Sequence, residues 1–490
     1  MFVRKKKNKS GVISIQIIDK SSGKYKVVKT LGSSSDNAAV ENLFTQAQQQ
    51  IPLFTGQSQL NFNKETEDAF VASILNSIED IRLVGPELLL GKLFNEIGFN
   101  NIKDELFKHL VITRLVYPVS KLKTIDYLYK YKNVFIEKDK IYRYLDKLNN
   151  KHKEQLQRIS YRHTLAVLNN EIAVVFYDVT TLYFEIEDED DLRKTGFSKE
   201  GKHQNPQIVG LLVSTGGYPL AYEIFEGNKF EGYTMLPVIE TFKHKYNLEK
   251  LIVVADAGLL SNGNIDELQN KGYEYILGAR IKNESNVVKK AILSLTLNNG
   301  ESTIIKKDEH TKIIISYFAN RAKKDEYNRK KGLQKLEKTI ASGKLNKKNI
   351  NNRGYNKYLK LEGDIAVSID YQKYKADGCW DGLKGYLTST ALTKDEVIEN
   401  YQQLWMIEKA FRLSKTDLKI RPIYHRLKHR IEAHICIAFC AYKIYKELER
   451  QLKEKQSALS PEKVIDILKT INAITIKSPY SENKATRLLT

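Results

Sequence analysis

The sequence predicts an α/β fold, a mixed sheet with helices on both faces that is interrupted by an insertion and preceded by a mostly helical region. Two apolar runs, IAVVFYD and LIVVADAG, are typical of buried strands. Between them, PQIVGLLVS and YPLAYEIFEG flank a Thr-Gly-Gly turn and indicate a hairpin. Residues 64–165 instead repeat apolar positions at helical spacing.

Composition narrows the class of protein. A chain of 490 residues favours about three domains. Its three cysteines exclude a disulfide scaffold and fit a reducing cytosol. No run approaches the roughly 18 apolar residues of a membrane helix, and the basic N-terminus lacks the apolar segment of a signal peptide. We therefore expect a cytoplasmic protein with no membrane partner.

The charge indicates a polyanionic partner. Lys and Arg number 79 against 59 Asp and Glu, which gives a net charge of +20. Residues 321–360 hold fourteen basic against three acidic residues, and residues 1–29 hold nine against one. Two such blocks favour two contacts with a phosphate backbone. The alternative is that the charge only maintains solubility.

The first 165 residues divide into two predicted regions. In residues 1–60, alternating apolar residues over 11–31 predict a hairpin with a Ser-Ser-Gly turn, followed by a helix over 36–50 and a linker at 55–59. Residues 61–165 predict short basic helices. These helices fit a DNA-binding unit of the helix-turn-helix kind or an ordinary helical bundle, and their pattern does not separate the two.

Residues 166–285 predict the first part of the sheet. Strands are expected at 172–178, 206–214, 218–227, 251–258 and 273–280, with helices at 232–246 and 262–271. Residues 286–363 predict a basic insertion domain, in which the strand-like pieces AILSLTL, STIIKK and TKIIISYF precede a helical run.

Residues 364–450 predict the second part of the sheet, with strands at 364–371 and 385–390 and a second long helix at 425–452. A long helix also begins at Thr393, where Thr393 and Glu396 fit a capping box. The histidines and cysteines of the second helix, Cys436 and Cys440 among them, fit core packing better than a zinc site. Residues 451–490 are expected to form a C-terminal tail.

Three acids are candidates for a shared site. Two apolar strands each end in an aspartate, Asp178 and Asp256, which could meet at one edge of the sheet. Glu408 lies in the helix that begins at Thr393, and the flanking Trp405 and Phe411 are expected to press that side of the helix toward the sheet. At 100° per residue, one stripe of this helix carries the residues Tyr401, Leu404, Glu408, Arg412 and Lys415.

Three carboxylates around a cleft suit Mg²⁺, which prefers oxygen ligands. Two such ions can activate a water molecule and steady the leaving oxygen in phosphodiester cleavage. In the alternative interpretation, Asp178 and Asp256 only cap strand ends and Glu408 pairs with Arg412. The spacing of the acids leaves both interpretations open.

Several motifs resemble the DDE transposases of bacterial insertion sequences. Tyr401-x-x-Leu404-x-x-x-Glu408, followed by Lys415, resembles their Tyr-Arg-Glu-Lys signature, with Leu404 in place of the arginine. VVADAGL resembles their motif around the second acid, and FYDVTTLYFE resembles the motif around the first. The segment GFSKEGKHQNPQIVGLLVSTGGYPLAYEIFEGN resembles the family between these acids, and the similarity covers most of the chain.

The resemblance implies an RNase H-like fold for residues 166–285 and 364–450, with an insertion that covers the active site and helps hold DNA ends. Asp178, Asp256 and Glu408 would bind two Mg²⁺ ions, for which Mn²⁺ could substitute. The resemblance also implies phosphate contacts by Tyr401 and Lys415 and a flipped base against Trp380. By their positions in the sequence, Arg412 is a candidate substitute for the missing arginine, and Lys199 and Lys202, in the loop after the first acid, are candidate DNA contacts. A solvated loop for the two lysines and core packing for Trp380 are the alternatives.

The implied activity is transposition. A homodimer would bind double-stranded DNA at the terminal inverted repeats of an insertion sequence, cleave each end and join the freed 3′-hydroxyl to target DNA. Two other functions stay open, a nuclease that cuts without joining and a catalytically dead DNA-binding protein derived from a transposase.

Overall fold

The computed structural model describes residues 1–55, 64–183, 190, 192, 194, 206–259, 262–342, 350–351, 354–362, 366–477 and 483–490. These residues form two compact units. The first unit comprises Met1–Ile81 and Ile474–Arg487. The second comprises Arg82–Ala473 and Leu488–Thr490. None of the described helices has the length and apolar character needed to cross a membrane.

The N-terminal part of the first unit is a three-stranded antiparallel sheet with one helix against it. Its elements are β1 (Phe2–Lys7), β2 (Ile13–Asp19), β3 (Lys26–Ser34) and α1 (Asn37–Thr55). The predicted hairpin is confirmed as β2 and β3, and the predicted helix as α1. Ile15 and Ile17 of β2 bury one face of the sheet against Val40 and Ala47 of α1. β1 was not predicted, because its run of basic residues hides the alternation typical of a strand.

The region after α1 is mostly helical, as predicted. Of the predicted linker, residues 56–59 lie outside the described residues. The elements that follow are α2 (Lys64–Ser77), β4 (Ile78–Leu83), a π-helical turn (Glu87–Gly91), α3 (Lys92–Ile97), α4 (Glu105–Val116), α5 (Lys121–Lys132) and α6 (Lys138–Val167). β4 is the exception to the helical prediction, and it forms a small sheet with two C-terminal strands described below. Ser120 caps α5 by accepting a hydrogen bond from the backbone N–H of Lys123 at 3.3 Å.

A large sheet organises the second unit. The strands after α6 are β5 (Val174–Tyr183), β6 (Pro206–Ser214), β7 (Pro219–Phe225), β8 (Ile252–Ala255), β9 (Glu274–Ala279), β10 (Ser302–Lys306), β11 (Lys312–Tyr317), β12 (Leu359–Glu362), β13 (Ala366–Ile369) and β14 (Leu383–Thr388). Eight of them pair in the order β10-β11-β14-β9-β8-β5-β6-β7. β5, β8 and β9 are parallel, and the other pairings are antiparallel. The order and directions of β9-β8-β5-β6-β7 are those of the RNase H-like sheet that the resemblance predicted.

Helices cover both faces of this sheet. The helices after α6 are α7 (Met235–Tyr246), α8 (Asn262–Asn270), α9 (Asn286–Leu293), α10 (Ala319–Ala341), α11 (Tyr371–Asp377), α12 (Lys394–Gln402), α13 (Trp405–Thr416), α14 (Lys428–Glu454) and α15 (Pro461–Leu468). Successive residues of a strand point to opposite faces. Phe176 and Val254 accordingly join a core with α12, α13 and α14. Val175 and Val253 join a second core with α7 and α8. The prediction of helices on both faces is confirmed.

Residues 286–363 differ in part from the prediction. AILSLTL is not a strand, because α9 ends within it and the Ser285 side chain caps that helix. The other two predicted strands form as β10 and β11, and they extend the large sheet through β14. α10 packs with β12 and β13 around a small core that contains Leu336 and Tyr358. The prediction that the strand over 364–371 belongs to the large sheet is therefore wrong, because among the described strands β13 pairs only with β12. Residues 451–490, predicted as a C-terminal tail, contain α15, β15 (Asn472–Lys477) and β16 (Lys484–Leu489). β15 and β16 form the small sheet with β4.

The predicted helix from Thr393 is two helices. The capping box of Thr393 and Glu396 is present at the start of α12. The helix then breaks at Gln403 and Leu404, and α13 begins at Trp405. α12 packs against β9 and β14, whereas α13 packs against β5. Because neighbouring strands are twisted relative to one another, the break lets each helix follow its own strands. The prediction for the next helix is confirmed by α14, in which Cys436 and Cys440 are fully buried.

Candidate active site

Asp178 and Asp256 lie side by side on neighbouring strands. β5 and β8 are parallel, and Tyr177 is the register partner of Ala255, so the residue after each partner is an aspartate. Asp256 directly follows β8, as predicted. The prediction that a strand ends at Asp178 is wrong, because β5 continues to Tyr183. The residues VTTLY that follow Asp178 are mostly β-branched or aromatic, which favours extension of the strand.

Glu408 reaches the same place from α13. It lies in the first turn of that helix, which packs on β5. Asp178, Asp256 and Glu408 line one cleft with a volume of about 460 Å³. Asp256 and Glu408 are exposed to solvent, and Asp178 is half-buried. Within the described part of the chain, no ion pair joins Glu408 to Arg412. The arrangement brings three carboxylates from three elements to one opening.

Tyr401 orients one of these carboxylates. Its hydroxyl donates a hydrogen bond to Oδ1 of Asp256 at 2.9 Å. Burial and the neighbouring Asp256 charge raise the pKa of Tyr401, so the hydroxyl keeps its proton and remains a donor. Gly278 of β9 makes this position possible, because a Cβ atom there would lie 2.4 Å from the Tyr401 oxygen. The tyrosine of the predicted signature is therefore part of the cleft.

Two basic side chains in the cleft were missed by sequence reasoning. Lys384 of β14 has its ammonium 4.6 Å from the centre of the Tyr401 ring. Burial lowers the pKa of Lys384, as does Arg321, while Asp256 and Glu408 act in the opposite direction. Arg321, from the first turn of α10, lines the same cleft and pairs with Asp325 at 3.5 Å. Nothing in their local sequence distinguishes these two among 79 basic residues.

The rest of the predicted helical stripe diverges from the carboxylates. Arg412 is exposed and does not line the cleft. Lys415 lines a different, largely apolar pocket with Thr180 and Phe411. Lys415 lies seven positions after Glu408 in the helix, a rise of about 10 Å at 1.5 Å per residue. Leu404, at the position of the family arginine, is buried and lines the cleft at the helix break.

The two tryptophans lie at or near the cleft. Trp405 is 54% exposed and lines the cleft, so the expectation that it presses the helix toward the sheet is wrong for this residue. Phe411, the other residue of that prediction, does pack against the core on this face of the sheet. Trp380 is half-buried just before β14, where it packs against the second core. It also lines an adjoining pocket of about 470 Å³ that shares Arg321 and Lys384 with the cleft. Lys199 and Lys202 lie outside the described residues.

The donor set of the cleft suits a hard divalent cation. Its three candidate ligands are all carboxylates, and no histidine or cysteine among the described residues lines it. Across the described ranges, no three His, Cys, Asp or Glu side chains converge closely enough, as they stand, to hold an ion. Two of the three carboxylates are exposed and can reorient toward a cation without unpacking the core. The residues therefore fit a divalent metal by chemistry and by access.

An RNase H-like sheet that places carboxylates and basic groups in one cleft is typical of enzymes that act on phosphodiesters. A family model described as Transposase DDE domain matches residues 169–444, which is more than half of the chain. The chain belongs to this family. It is a DNA transposase, and the DDE transposases are enzymes that cleave DNA and transfer strands with divalent metal ions.

Solved structures of transposases are similar to the chain at low identity. One is a cryo-EM structure of a piggyBac transposase synaptic complex with hairpin DNA, with 9% identity, 74% of this chain and 69% of that chain covered, and a TM-score of 0.40. Another is a Mos1 transposase paired-end complex with left transposon end, with 11% identity, coverage of 49% and 66%, and a TM-score of 0.16. No curated protein matches the chain. Membership of the family rests on the sequence match.

Proposed function

We propose that this transposase mobilises a bacterial insertion sequence and that Asp178, Asp256 and Glu408 are its catalytic triad. The observation that carries the proposal is that these three carboxylates, from β5, the end of β8 and α13, line one cleft. Strand capping does not account for Asp178, which lies in the middle of its strand. Pairing with Arg412 does not account for Glu408, since the described residues show no such ion pair.

The triad would hold two divalent ions, Mg²⁺ in the cell with Mn²⁺ as a substitute. When bound, such ions activate a water or a 3′-hydroxyl and steady the leaving oxygen. Tyr401 fixes the carboxylate of Asp256 through its 2.9 Å hydrogen bond. Such partners of a ligand set its orientation. Lys384 and Arg321 place positive charge on the other wall of the cleft, where a backbone phosphate would enter.

DNA would approach across the basic residues around the cleft. Trp405 is large and exposed at the opening, which suits stacking on a base. Trp380 borders the adjoining pocket and is the candidate contact for a flipped base. In this proposal residues 286–363 act as the insertion that holds the DNA end, with Arg321 as their contribution to the cleft. Lys415, Arg412, Lys199 and Lys202 remain candidate phosphate contacts.

The remaining regions would recognise the element. Residues 1–60 and 61–165 would bind the terminal inverted repeats, residues 166–285 and 364–450 would form the catalytic domain, and residues 451–490 would follow it. Transposition needs two ends in one complex, so we expect a homodimer on DNA, acting in the bacterial cytoplasm. The freed 3′-hydroxyl would attack target DNA without a covalent enzyme intermediate.

Cleavage of a linear duplex that carries the element ends tests the triad. Glu408→Gln keeps the shape of the side chain and removes the charge that holds a cation. We expect Mg²⁺-dependent cleavage by the wild type, its loss in EDTA, and its loss in Glu408→Gln. The matched control is Glu399→Gln, because Glu399 is exposed on α12 and lies outside the cleft. Equal cleavage by the wild type and Glu408→Gln would refute the role of Glu408.

Joining is tested separately with ends that are already cut. Incubated with Mg²⁺ and a plasmid target, these ends should appear covalently joined to the plasmid. Cleavage of intact ends without any joining would instead identify a nuclease. Tight binding to the ends without cleavage or joining would identify a DNA-binding protein that has lost catalysis.

A further inference from the structure

A second cavity, separate from the catalytic cleft, is lined by basic side chains. It has a volume of about 510 Å³ and lies between the end of α4, the first turn of α5 and the loop that follows α13. It shares no lining residue with the cleft. Its basic lining includes Arg114, Lys121, Lys123, Lys419 and Arg421, and no carboxylate of the described residues lines it.

Two of these cations are buried and have no acidic partner within the described parts of the chain. Arg114 is 4% exposed and Lys121 is 5% exposed. Arg114 donates one hydrogen bond, to the carbonyl of Leu418 at 3.4 Å, and its buried Nε has no hydrogen-bond partner among the described residues. Burial lowers the pKa of Arg114 to about 10. Burial and the charge of Arg114 lower the pKa of Lys121 well below its ordinary value.

Such an arrangement is costly for the protein alone. Lys and Arg are rarely this buried unless something pairs their charge, and an uncompensated buried charge is strongly destabilising. Two histidines, His425 and His434, also line the cavity and add no negative charge. An anion in the cavity would compensate the buried cations and satisfy the Arg114 donor.

The backbone around the cavity also suits an anion. α5, a helix of twelve residues, contributes its N-cap Ser120 and Lys121 and Lys123 of its first turn to the wall. The N-terminus of a helix carries partial positive charge and attracts phosphate groups. The guanidinium of Arg114 adds a planar set of donors suited to phosphate oxygens. The same cavity is therefore bordered by the N-terminus of α5, the buried Arg114 and the buried Lys121.

We propose that this cavity is a phosphate-binding pocket and that its occupant is a backbone phosphate of the DNA bound by the transposase. The assignment of this phosphate to DNA rests on the proposed function, whereas the prediction that the pocket binds a phosphate group does not. α13 connects the two sites, since it carries Glu408 near its start and ends at Thr416, shortly before Lys419 and Arg421 of the pocket wall. From Glu408 to Thr416 the helix rises about 12 Å. A strand that extends from the cleft along α13 would reach the pocket within a few nucleotides.

Inorganic phosphate tests the pocket without DNA. We expect the melting temperature of the wild type to rise by several degrees, saturably, in sodium phosphate relative to sodium chloride of equal ionic strength. Lys121→Met should melt higher than the wild type in chloride, because it removes a buried charge, and should lose the phosphate-specific rise. The matched control, Lys130→Met, changes an exposed lysine of the same helix and should keep the rise. Arg114→Met, tested in the same way, should also lose it.

DNA binding tests the occupant. Lys121→Met should bind duplex DNA about tenfold more weakly than Lys130→Met, and its salt-dependence slope should be smaller by about one. Phosphate should compete with DNA for the wild type more than chloride does at equal ionic strength.

The possible results separate the claims. The proposal of a phosphate-binding pocket would be overturned by either of two results. One is that phosphate does not raise the melting temperature of the wild type above its value in chloride; the other is that this rise persists in both Lys121→Met and Arg114→Met. A rise that depends on Lys121, with equal DNA affinity in Lys121→Met and Lys130→Met, would overturn the DNA assignment and identify a free phosphate compound as the occupant. Neither the melting experiment nor the DNA-binding experiment depends on cleavage. Both results can therefore be interpreted even if the proposed catalytic triad is wrong.

Discussion

Gly278→Ala perturbs the candidate active site without altering any carboxylate. Gly278 lies on β9 beneath Tyr401, and an added Cβ atom would lie 2.4 Å from the Tyr401 hydroxyl oxygen. It would also lie 3.1 Å from the backbone nitrogen of Ala257, so the strand cannot easily retreat on that side. Carbon contacts are most favourable at about 3.5–4.0 Å. The tyrosine oxygen must therefore move by roughly 1 Å.

That movement would break the hydrogen bond that orients Asp256. The bond is 2.9 Å long, and an added displacement of this size takes it beyond useful length. Loss of such a partner of a metal ligand costs about 10–100-fold in metal affinity or activity. We expect a fall of that size in the cleavage rate and a higher half-saturating Mg²⁺ concentration. Overpacking should also lower the free energy of unfolding by about 1–3 kcal/mol.

A double-mutant cycle with Tyr401→Phe separates the clash from general damage. Phe lacks the hydroxyl oxygen that the new methyl group meets, so Gly278→Ala should have little further effect on cleavage in that background. Gly85→Ala is the control, because its Cβ would lie 2.2 Å from the carbonyl oxygen of Leu468, and neither residue lines the cleft. It should lower stability while leaving the Mg²⁺ dependence unchanged. Wild-type cleavage by Gly278→Ala, or its full effect on top of Tyr401→Phe, would refute the reasoning.

Three further predictions concern charge. Burial raises the pKa of Asp377, but hydrogen bonds from Lys282 at 2.6 Å and Lys357 at 2.7 Å outweigh it and hold that pKa well below 3.8. The stabilisation is therefore complete above pH 3.8 and is lost as the pH falls through the folded-state pKa. Urea unfolding at several acidic pH values should show this dependence in the wild type and a smaller one in Asp377→Asn. Lys384→Met removes a cation beside Asp256 and Glu408, so the half-saturating Mg²⁺ concentration should fall while the rate at saturating Mg²⁺ drops about tenfold. Lys384→Arg should retain most of that rate, and a higher Mg²⁺ requirement in Lys384→Met would contradict the placement of this charge. Affinity for end DNA should fall by at least about 10³-fold between 50 and 200 mM salt, whereas a flat titration would mean that the charge of +20 serves solubility alone.

The elements that the sequence predicted well are those specified by neighbouring residues. Apolar runs marked the central strands β5 and β8, and the Thr-Gly-Gly turn marked the hairpin of β6 and β7. The capping box at Thr393 marked the start of α12. Asp256 was placed correctly because its strand ends where the apolar run ends. These signals are local, since periodicity and caps are read within one or two turns of chain.

The mistakes arose where distant parts of the chain decide the local structure. Asp178 sits inside β5 because β6 continues to pair with that strand beyond it. The helix from Thr393 breaks because its two halves pack on different strands. AILSLTL has the composition of a strand, yet α9 takes its first residues, with Ile292 buried in the second core.

The sequence by itself determined the fold class, the family and the identity of the three candidate carboxylates, because each depends on residue types in a fixed order along the chain. Only the tertiary structure decided what surrounds them. Lys384 and Arg321 face Asp256 because β14 joins the sheet beside β9 and α10 begins next to it. The basic cavity of Arg114 and Lys121 forms only where α4, α5 and the loop after α13 meet. Packing brings together charges that are far apart in the sequence. A local sequence pattern cannot predict which of these charges will be neighbours.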